Sequence, residues 1–586
     1  MSRVRMFCRH RLATGCASVA MFALVTMVAL TTMVAPGAFA QDAASPQTAT
    51  TGSVAATDAL DASAANDALD ANDAIAAAAG MDLPTLTAAA QVRDRADVIE
   101  IARRLAAEPM LPAGAAPRGL GELSYGDYVR LRYKPGAAYW TDIESPFWLE
   151  TFHQGFVQKN EIALFELSGG FGNRSPVNRW IPFDPARFDY GDLEIAPETL
   201  NRAGHAGLKI AGRFEPEGDW QEMLTFLGSS YFRARSGKTI YGCSARGLAV
   251  DIALPRDEEF PFFRTFWVRR PEPGDEAIEI LALMDSKSCT GAYEFRMTPG
   301  MISSTVDVSA TVFCRDAIEK LAIAPLTGMW MWGDGLPGPS LDRRSHVHDC
   351  DALLIDTDDA APIVRPFARI AYPSVSRYPI ETLRGFGLIQ RRRDAKSFGD
   401  QNARYGDRPS VMVRPRAPDR WIGGVIELLE IPGAHEGVDN IGAYWIPPEP
   451  AKRSSRFDIE YAVDFTRSDR FEPRVSIARM ERLDVTRPNG GVRLTADYRG
   501  DAIAAMPLGE LSLGIATVRG EVTSQQIKSI AGGVRIVLDI RPTEPAPTEV
   551  RIDIKRGDAL VAERLAYLCP PDHPKFVFPA VYTKTE

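Results

Sequence analysis

Two short acidic motifs carry residue types able to cut a glycosidic bond: His348-Asp349-Cys350-Asp351 and Val438-Asp439-Asn440-Ile441-Gly442-Ala443-Tyr444-Trp445. Two carboxylates brought together over a sugar, one giving a proton and one taking it, are the minimum equipment for that reaction. Asp439 follows Glu427-Leu428-Leu429-Glu430-Ile431-Pro432 and precedes Ile441 through Trp445, two runs that read as strands. The loop 433–440 between them therefore carries His435, Glu436 and Asp439. Partial burial of such a loop carboxylate in a cleft raises its pKa toward that of a proton donor. An Asp-Asn pair is equally an ordinary turn former. Asp349 has the same two readings, a catalytic base or a hydrogen-bonded structural aspartate.

Other motifs add weaker signals. His346 and His348 would share one face of a strand, as a metal site needs. No third or fourth ligand stands at a known spacing, and no C-x-x-C pattern occurs, so no metal and no cofactor are expected. Tyr241-Gly242-Cys243-Ser244-Ala245-Arg246-Gly247 is one residue too long for the G-x-S-x-G nucleophile elbow, and no strand–turn–helix context surrounds it. The segment reads instead as a tight turn presenting Ser244 and Arg246 to sugar hydroxyls. Trp330 and Trp332 alternate with methionines, so both indoles fall on one face of a strand, where they stack on a pyranose ring or pack in the core. Trp140, Phe152, Phe386, Tyr405 and Trp445 pose the same choice.

These residues need a scaffold, and the chain of 586 residues is too long for one core. Arg3, Arg5, Arg9 and Arg11, an apolar run from Ala17 to Val34 and Ala38-Phe39-Ala40 fit a cleaved signal over 1–40. Its loss leaves the mature chain four charges more negative than the −9 of the whole, which speaks against a nucleic-acid partner and suits a neutral polymer. Residues 41–88, rich in Ala, Asp and Thr, read as a disordered spacer, with a short helix as the alternative for the Ala-rich part. From Val92 to Leu105 the period is helical, with Val92, Ala96, Ile99, Ala102 and Leu105 on one face. After Pro109 it becomes two: Phe457 to Phe465, Val534 to Ile540 and Val550 to Ile554 alternate apolar with polar, as half-buried strands do. Pro447-Pro448-Glu449-Pro450 reads as the domain boundary, giving a large domain over 89–447 and an immunoglobulin-sized β-sandwich over 452–586. Five cysteines follow the signal, an odd and widely spaced set that does not look like a disulfide framework.

At these motifs the chain resembles the periplasmic glucan biosynthesis protein G/D family (MdoG/OpgG/OpgD). The matching stretches include Leu227 through Ala234, Tyr241 through Asp251, Glu258-Glu259-Phe260-Pro261, Met284-Asp285-Ser286, Thr290 through Tyr293 and Ile323 through Thr327. Val347-His348-Asp349, Gly385 through Arg391 and Asp439-Asn440-Ile441 complete the series in the same order. The resemblance implies a mainly β fold, with a large galactose-mutarotase-like N-terminal β-sandwich bearing a long cleft and a C-terminal immunoglobulin-like β-sandwich. It implies a periplasmic location, a part in making osmoregulated periplasmic glucans, and anomer-inverting action on β-1,2-glucan as glucanase. The alternatives it leaves are an inverting transglycosylase making cyclic or branched glucan, and a non-catalytic glucan-binding scaffold. By motif, Asp439 matches the family's general acid and Asp349 its general base, relaying protons through water and a substrate hydroxyl. That relaxes the separation of about 6.5–9.5 Å expected of inverting carboxylates. Trp330, Trp332, Arg391, Tyr444, Ser244 and Arg246 are the expected sugar-holding residues. The expected partners are β-1,2-linked glucan and the inner-membrane glucan synthase, with a homodimer as a candidate assembly. The chain departs from the family at Cys350, where serine is usual, in the loop Glu436-Gly437-Val438-Asp439-Asn440, which has lost polar side chains, and at Arg365-Pro366-Phe367-Ala368-Arg369.

Overall fold

Alternation at period two decides most of the architecture, because each strand must turn one row of side chains inward and the other outward. The computed structural model describes residues 83–110, 112–169, 177–358, 361–416, 421–470, 477–571 and 578. The expected signal, 1–40, and the spacer up to residue 82 lie outside these. Within the remainder of that spacer, Leu83–Ala89 is helical. Among the described residues no helix is long and apolar enough to cross a membrane.

Two large sheets face each other. One has ten strands, running in space from Phe147–His153 through His205–Gly212, Gln221–Leu227, Tyr231–Ala234, Ser244–Arg246, Leu321–Gly328, Ile441–Ile446 and Val425–Glu430 to Ser374–Pro379, with Leu248–Val250 paired off this path. The registers align Phe226, Phe232, Ala245, Leu326, Ala443 and Leu428 in one apolar row across it. That row faces the main core, where Phe263, Phe266, Phe295 and Val463 of the opposing sheet meet it. One residue along, the row reads Glu150, Lys209, Thr225 and Arg233, then Ser244, Thr327 and Gly442. Side chains one residue apart point to opposite faces, so this second row is polar and faces away from the core.

The opposing sheet has fifteen strands. A helix, Arg95–Leu105, covers part of its outer face and buries Val98, Ile101, Ala102 and Leu105. The helix begins at Asp94, whose side chain accepts from the amides of Ala96 and Asp97. The buried face is therefore phased differently from the expected one: Ala96 is exposed and Ile99 only half-buried. Three large apolar side chains at about 1.5–3 kcal/mol each outweigh a cap worth about 0.5–2 kcal/mol, so packing sets the phase.

The boundary expected at 447–450 is corrected by topology. Arg456–Thr466 lies inside the fifteen-stranded sheet, between Ser303–Cys314 and Ser410–Pro415. The prolines mark a corner at which the chain leaves Ile441–Ile446 of one sheet for the other, a place where missing N–H donors cost nothing. The large sandwich thus ends after Thr466. Beyond it, Arg479–Thr486, Val492–Arg499, Gly533–Pro542 and Gly520–Ile530 form a four-stranded sheet. It faces Leu511–Val518, Thr548–Arg556 and Arg564–Cys569, which continue the fifteen-stranded sheet through a parallel pairing with Ile363–Pro366. The two sandwiches share a core: Leu354, Val364 and Ile389 of the first pack with Leu494, Ile536 and Ile552 of the second.

Candidate active site

The polar face of the ten-stranded sheet carries a groove. A hollow of about 50 Å³ is bordered by Asp439, Thr327, Arg246, Glu258, Tyr231 and Phe260. Tyr231 and Phe260 also border a second hollow, of about 210 Å³, which reaches Lys159, Asn160 and Ser229 on one side and the core rings Phe226, Phe263 and Phe266 on the other.

Asp439 enters the groove from the loop after Val425–Glu430. Its Oδ2 accepts from Thr327 Oγ1 at 2.9 Å and lies 4.0 Å from Arg233 Nη2. Arg233 is aimed by Ser244, whose Oγ accepts from its Nε at 2.6 Å. The loop is pinned at both ends. Asn440 takes the Trp330 amide at 2.8 Å and donates to the carbonyls of Trp330 and Ile431 at 2.9 and 3.0 Å. Glu436 is held by Arg344 at 2.8 Å and by the Tyr405 hydroxyl, and Arg344 is itself fixed by Asp342 and Asp400. Asn440→Ala would strand the buried amide and carbonyl of Trp330, at about 1–3 kcal/mol for an unpaired group, and the half-buried carbonyl of Ile431. The expected result is a lower unfolding midpoint, read by thermal melting.

Asp349 lies behind the groove wall. Its side chain is 3% exposed against 14% for Asp439. The Arg408 guanidinium pairs with its Oδ1, and its amide donates to the Met329 carbonyl at 2.7 Å. Burial raises its pKa; Arg408 opposes the shift and the charge of Asp439 adds to it. The two aspartates are thus near enough to feel each other, with Arg233 acting on both. They do not flank an open groove as a symmetric pair, because only Asp439 faces it.

The other expected sugar-holding residues separate. Arg246 borders the Asp439 hollow and donates to Glu258 at 2.7 Å, with its guanidinium over the Tyr231 and Phe260 rings. Among the described residues its Nε and Nη2 have no hydrogen-bond partner. Ser244 is fully buried in the strand Ser244–Arg246 and serves Arg233, so the tight turn expected to present it to sugar hydroxyls is corrected. Tyr444 is also fully buried, its hydroxyl donating to Glu427 at 3.0 Å, so it presents no surface to a ligand. Trp332 packs with Met329, Met331 and Phe398, and its Nε1 donates to the Arg344 carbonyl. Trp330 belongs to the main core and borders a different hollow, between the two sandwiches, which Arg391 also borders. Arg391 is turned toward Glu563 and Asp469 of the later chain. The placing of Trp330, Trp332, Tyr444 and Arg391 in the groove is therefore corrected: aromatic rings with apolar neighbours, and a guanidinium with two carboxylates waiting for it, are drawn inward. His346 and His348 hold Asp334 and Gln390 instead of each other's ligand. Burial, joined by the neighbouring His346, pushes the His348 pKa down to about 3. Arg233, Thr327 and Arg408 went unsingled in the sequence because each works through a partner far along the chain.

Fold and site define a two-sandwich β protein with an acid, Asp439, set in a hollow on the polar face of one sheet. The sequence places it more narrowly: residues 94–569 match the family model described as periplasmic glucan biosynthesis protein, MdoG, and the chain belongs to that family. It is a periplasmic protein with a role in glucan biosynthesis. Among its relatives, glucans biosynthesis protein G of Pectobacterium atrosepticum is 34% identical over 487 residues, 80% of this chain and 91% of that one. That of Serratia proteamaculans is 34% identical over 494 residues, 81% and 92%. That of Ralstonia nicotianae is 35% identical over 490 residues, 81% and 95%. The galactosidase domain of alpha-galactosidase-sucrose kinase, AgaSK, is a slight likeness only, with a TM-score of 0.22 and 7% identity over 44% of this chain and 39% of that one.

Proposed function

We propose that the protein is an anomer-inverting enzyme acting on β-1,2-glucan in the periplasm, with Asp439 as general acid and Asp349 as general base. The observation that carries this reading is the unequal placing of the two aspartates: one faces the groove, the other is buried just behind it and within its electrostatic reach. In this reading Asp439 gives its proton through a sugar hydroxyl to the leaving glycosidic oxygen. Water attacks the anomeric carbon from the opposite side and its proton passes along a relay to Asp349. Solvent then restores both carboxyls. Arg233 and Arg246 hold sugar hydroxyls, and Thr327 orients the acid.

A buried base gains from its burial, since a carboxylate with a raised pKa is the stronger proton acceptor while it stays ionised. The sign of the pH effect follows. Asp349 must be ionised to work, so turnover is expected to fall as pH drops through its raised pKa, giving an acid limb above the ordinary Asp value of about 3.9. Its contribution to stability runs the other way: it is present below the unfolded-state pKa and lost as pH rises through the folded one. A pH–rate profile measures the limb. A limb at or below the ordinary carboxylate value removes Asp349 from the role.

Incubating the mature protein with linear β-1,2-glucan and weighing the products tests the reaction itself. Shorter linear chains are expected. Glucan lighter by one water at equal chain length moves the reaction to transglycosylation, and glucan bound without change of length moves the protein to a scaffold role.

A further inference from the structure

Cys243 and Cys350 come from segments far apart in sequence and are both buried, at 1% and 0% exposure. Gly328, at the end of Leu321–Gly328, lies between them. A side-chain carbon on Gly328 would stand 2.6 Å from the Cys243 sulfur and 2.8 Å from that of Cys350. The two sulfurs therefore border one small space, both as free thiols in this structure. The bare glycine is what leaves room for both.

We propose that Cys243 and Cys350 are joined by a disulfide in the mature protein, a covalent tie between the segment carrying Ser244 and the segment carrying Asp349. The compartment favours it, since neighbouring thiols are oxidised in the periplasm and kept reduced in the cytosol. The chemistry needs an external disulfide as oxidant, such as a periplasmic thiol–disulfide oxidoreductase. The thiolate of one cysteine attacks a sulfur of that oxidant and expels one of its thiols. The thiolate of the other then attacks the mixed disulfide and expels the second. Two protons and two electrons leave the pair, and the oxidant is reduced to two thiols. Burial raises the pKa of Cys350 well above its usual value and closes the pair to any oxidant, so the bond is made before the sandwich shuts. The tie would fix Asp349 relative to Ser244 and hence to Arg233, the cation that both aspartates feel.

Cys289 and Cys314 face each other on neighbouring strands and Cys569 lies elsewhere, so the test must be read peptide by peptide. Protein purified from the periplasm is blocked with N-ethylmaleimide in denaturant, without reductant, and cut with trypsin. Peptides 239–246 and 345–369 each contain one cysteine. They are expected as one crosslinked species, lighter by two hydrogens than the separate pair and split by reductant. Recovery of the two peptides apart, each carrying the blocking group, overturns the proposal. The double variant Cys243→Ser with Cys350→Ser is expected to melt several degrees below the oxidised parent. An unchanged midpoint overturns the tie as a constraint on the site. Should that variant not fold, the peptide map of the parent still decides.

Discussion

Asp439→Asn is expected to lower turnover of linear β-1,2-glucan by about 10²–10⁴-fold, the usual worth of a positioned general acid. Asparagine fills the same space and still accepts from the Thr327 hydroxyl through its carbonyl oxygen, so the groove should keep its shape and glucan its affinity. The acid proton alone is lost. Initial rates from reducing-end release, measured for parent and variant, check the effect. Parent-like rates remove Asp439 from the chemistry.

Arg391→Ala is expected to destabilise the fold by about 3–5 kcal/mol, the cost of breaking a buried ion pair from one side. Arg391 meets Glu563 through two bonds, of 2.9 and 2.8 Å, and also donates to the Met480 carbonyl. Its Nε lies 3.3 Å from Asp469, an ion contact without hydrogen-bond alignment. Truncation leaves Glu563 in the joint between the sandwiches with the Met480 amide and no cation. Asp469 keeps Arg479 at 2.8 Å and suffers less. Adding Glu563→Ala should recover part of the loss, since both charges then leave together. Urea titration measures these differences. A drop in glucan affinity with unchanged stability would return Arg391 to the sugar-binding role that its geometry speaks against.

Arg391 also shows what kind of fact a sequence hides. Alternation placed strands such as Arg456–Thr466 and Thr548–Arg556 well, because period two is a property of neighbours along the chain. It was silent about sheet membership. The prolines at 447–450 look the same in a linker and at a sheet corner, and only the pairing of Tyr461 with Val308 tells the two apart. The acid loop was legible as a loop between two strands, and its aspartate does face a groove. Trp330 and Trp332 were not legible as core, since an indole suits a sugar platform and an apolar interior equally well. Arg408 could not be found at all: its meaning is a contact with Asp349, 59 positions away. Cys243 and Cys350 read as unrelated for the same reason, and Gly328, which makes room for both, had no motif of its own.

The stereochemistry of cleavage tests the central claim most directly. Linear β-1,2-glucan is incubated with the mature protein, and the anomeric proton signals of the new reducing ends are followed by NMR before mutarotation scrambles them. An inverting acid–base pair at Asp439 and Asp349 predicts that the α-anomer appears first and that Asp439→Asn abolishes the signal. First appearance of the β-anomer, or undiminished release by the variant, contradicts the account.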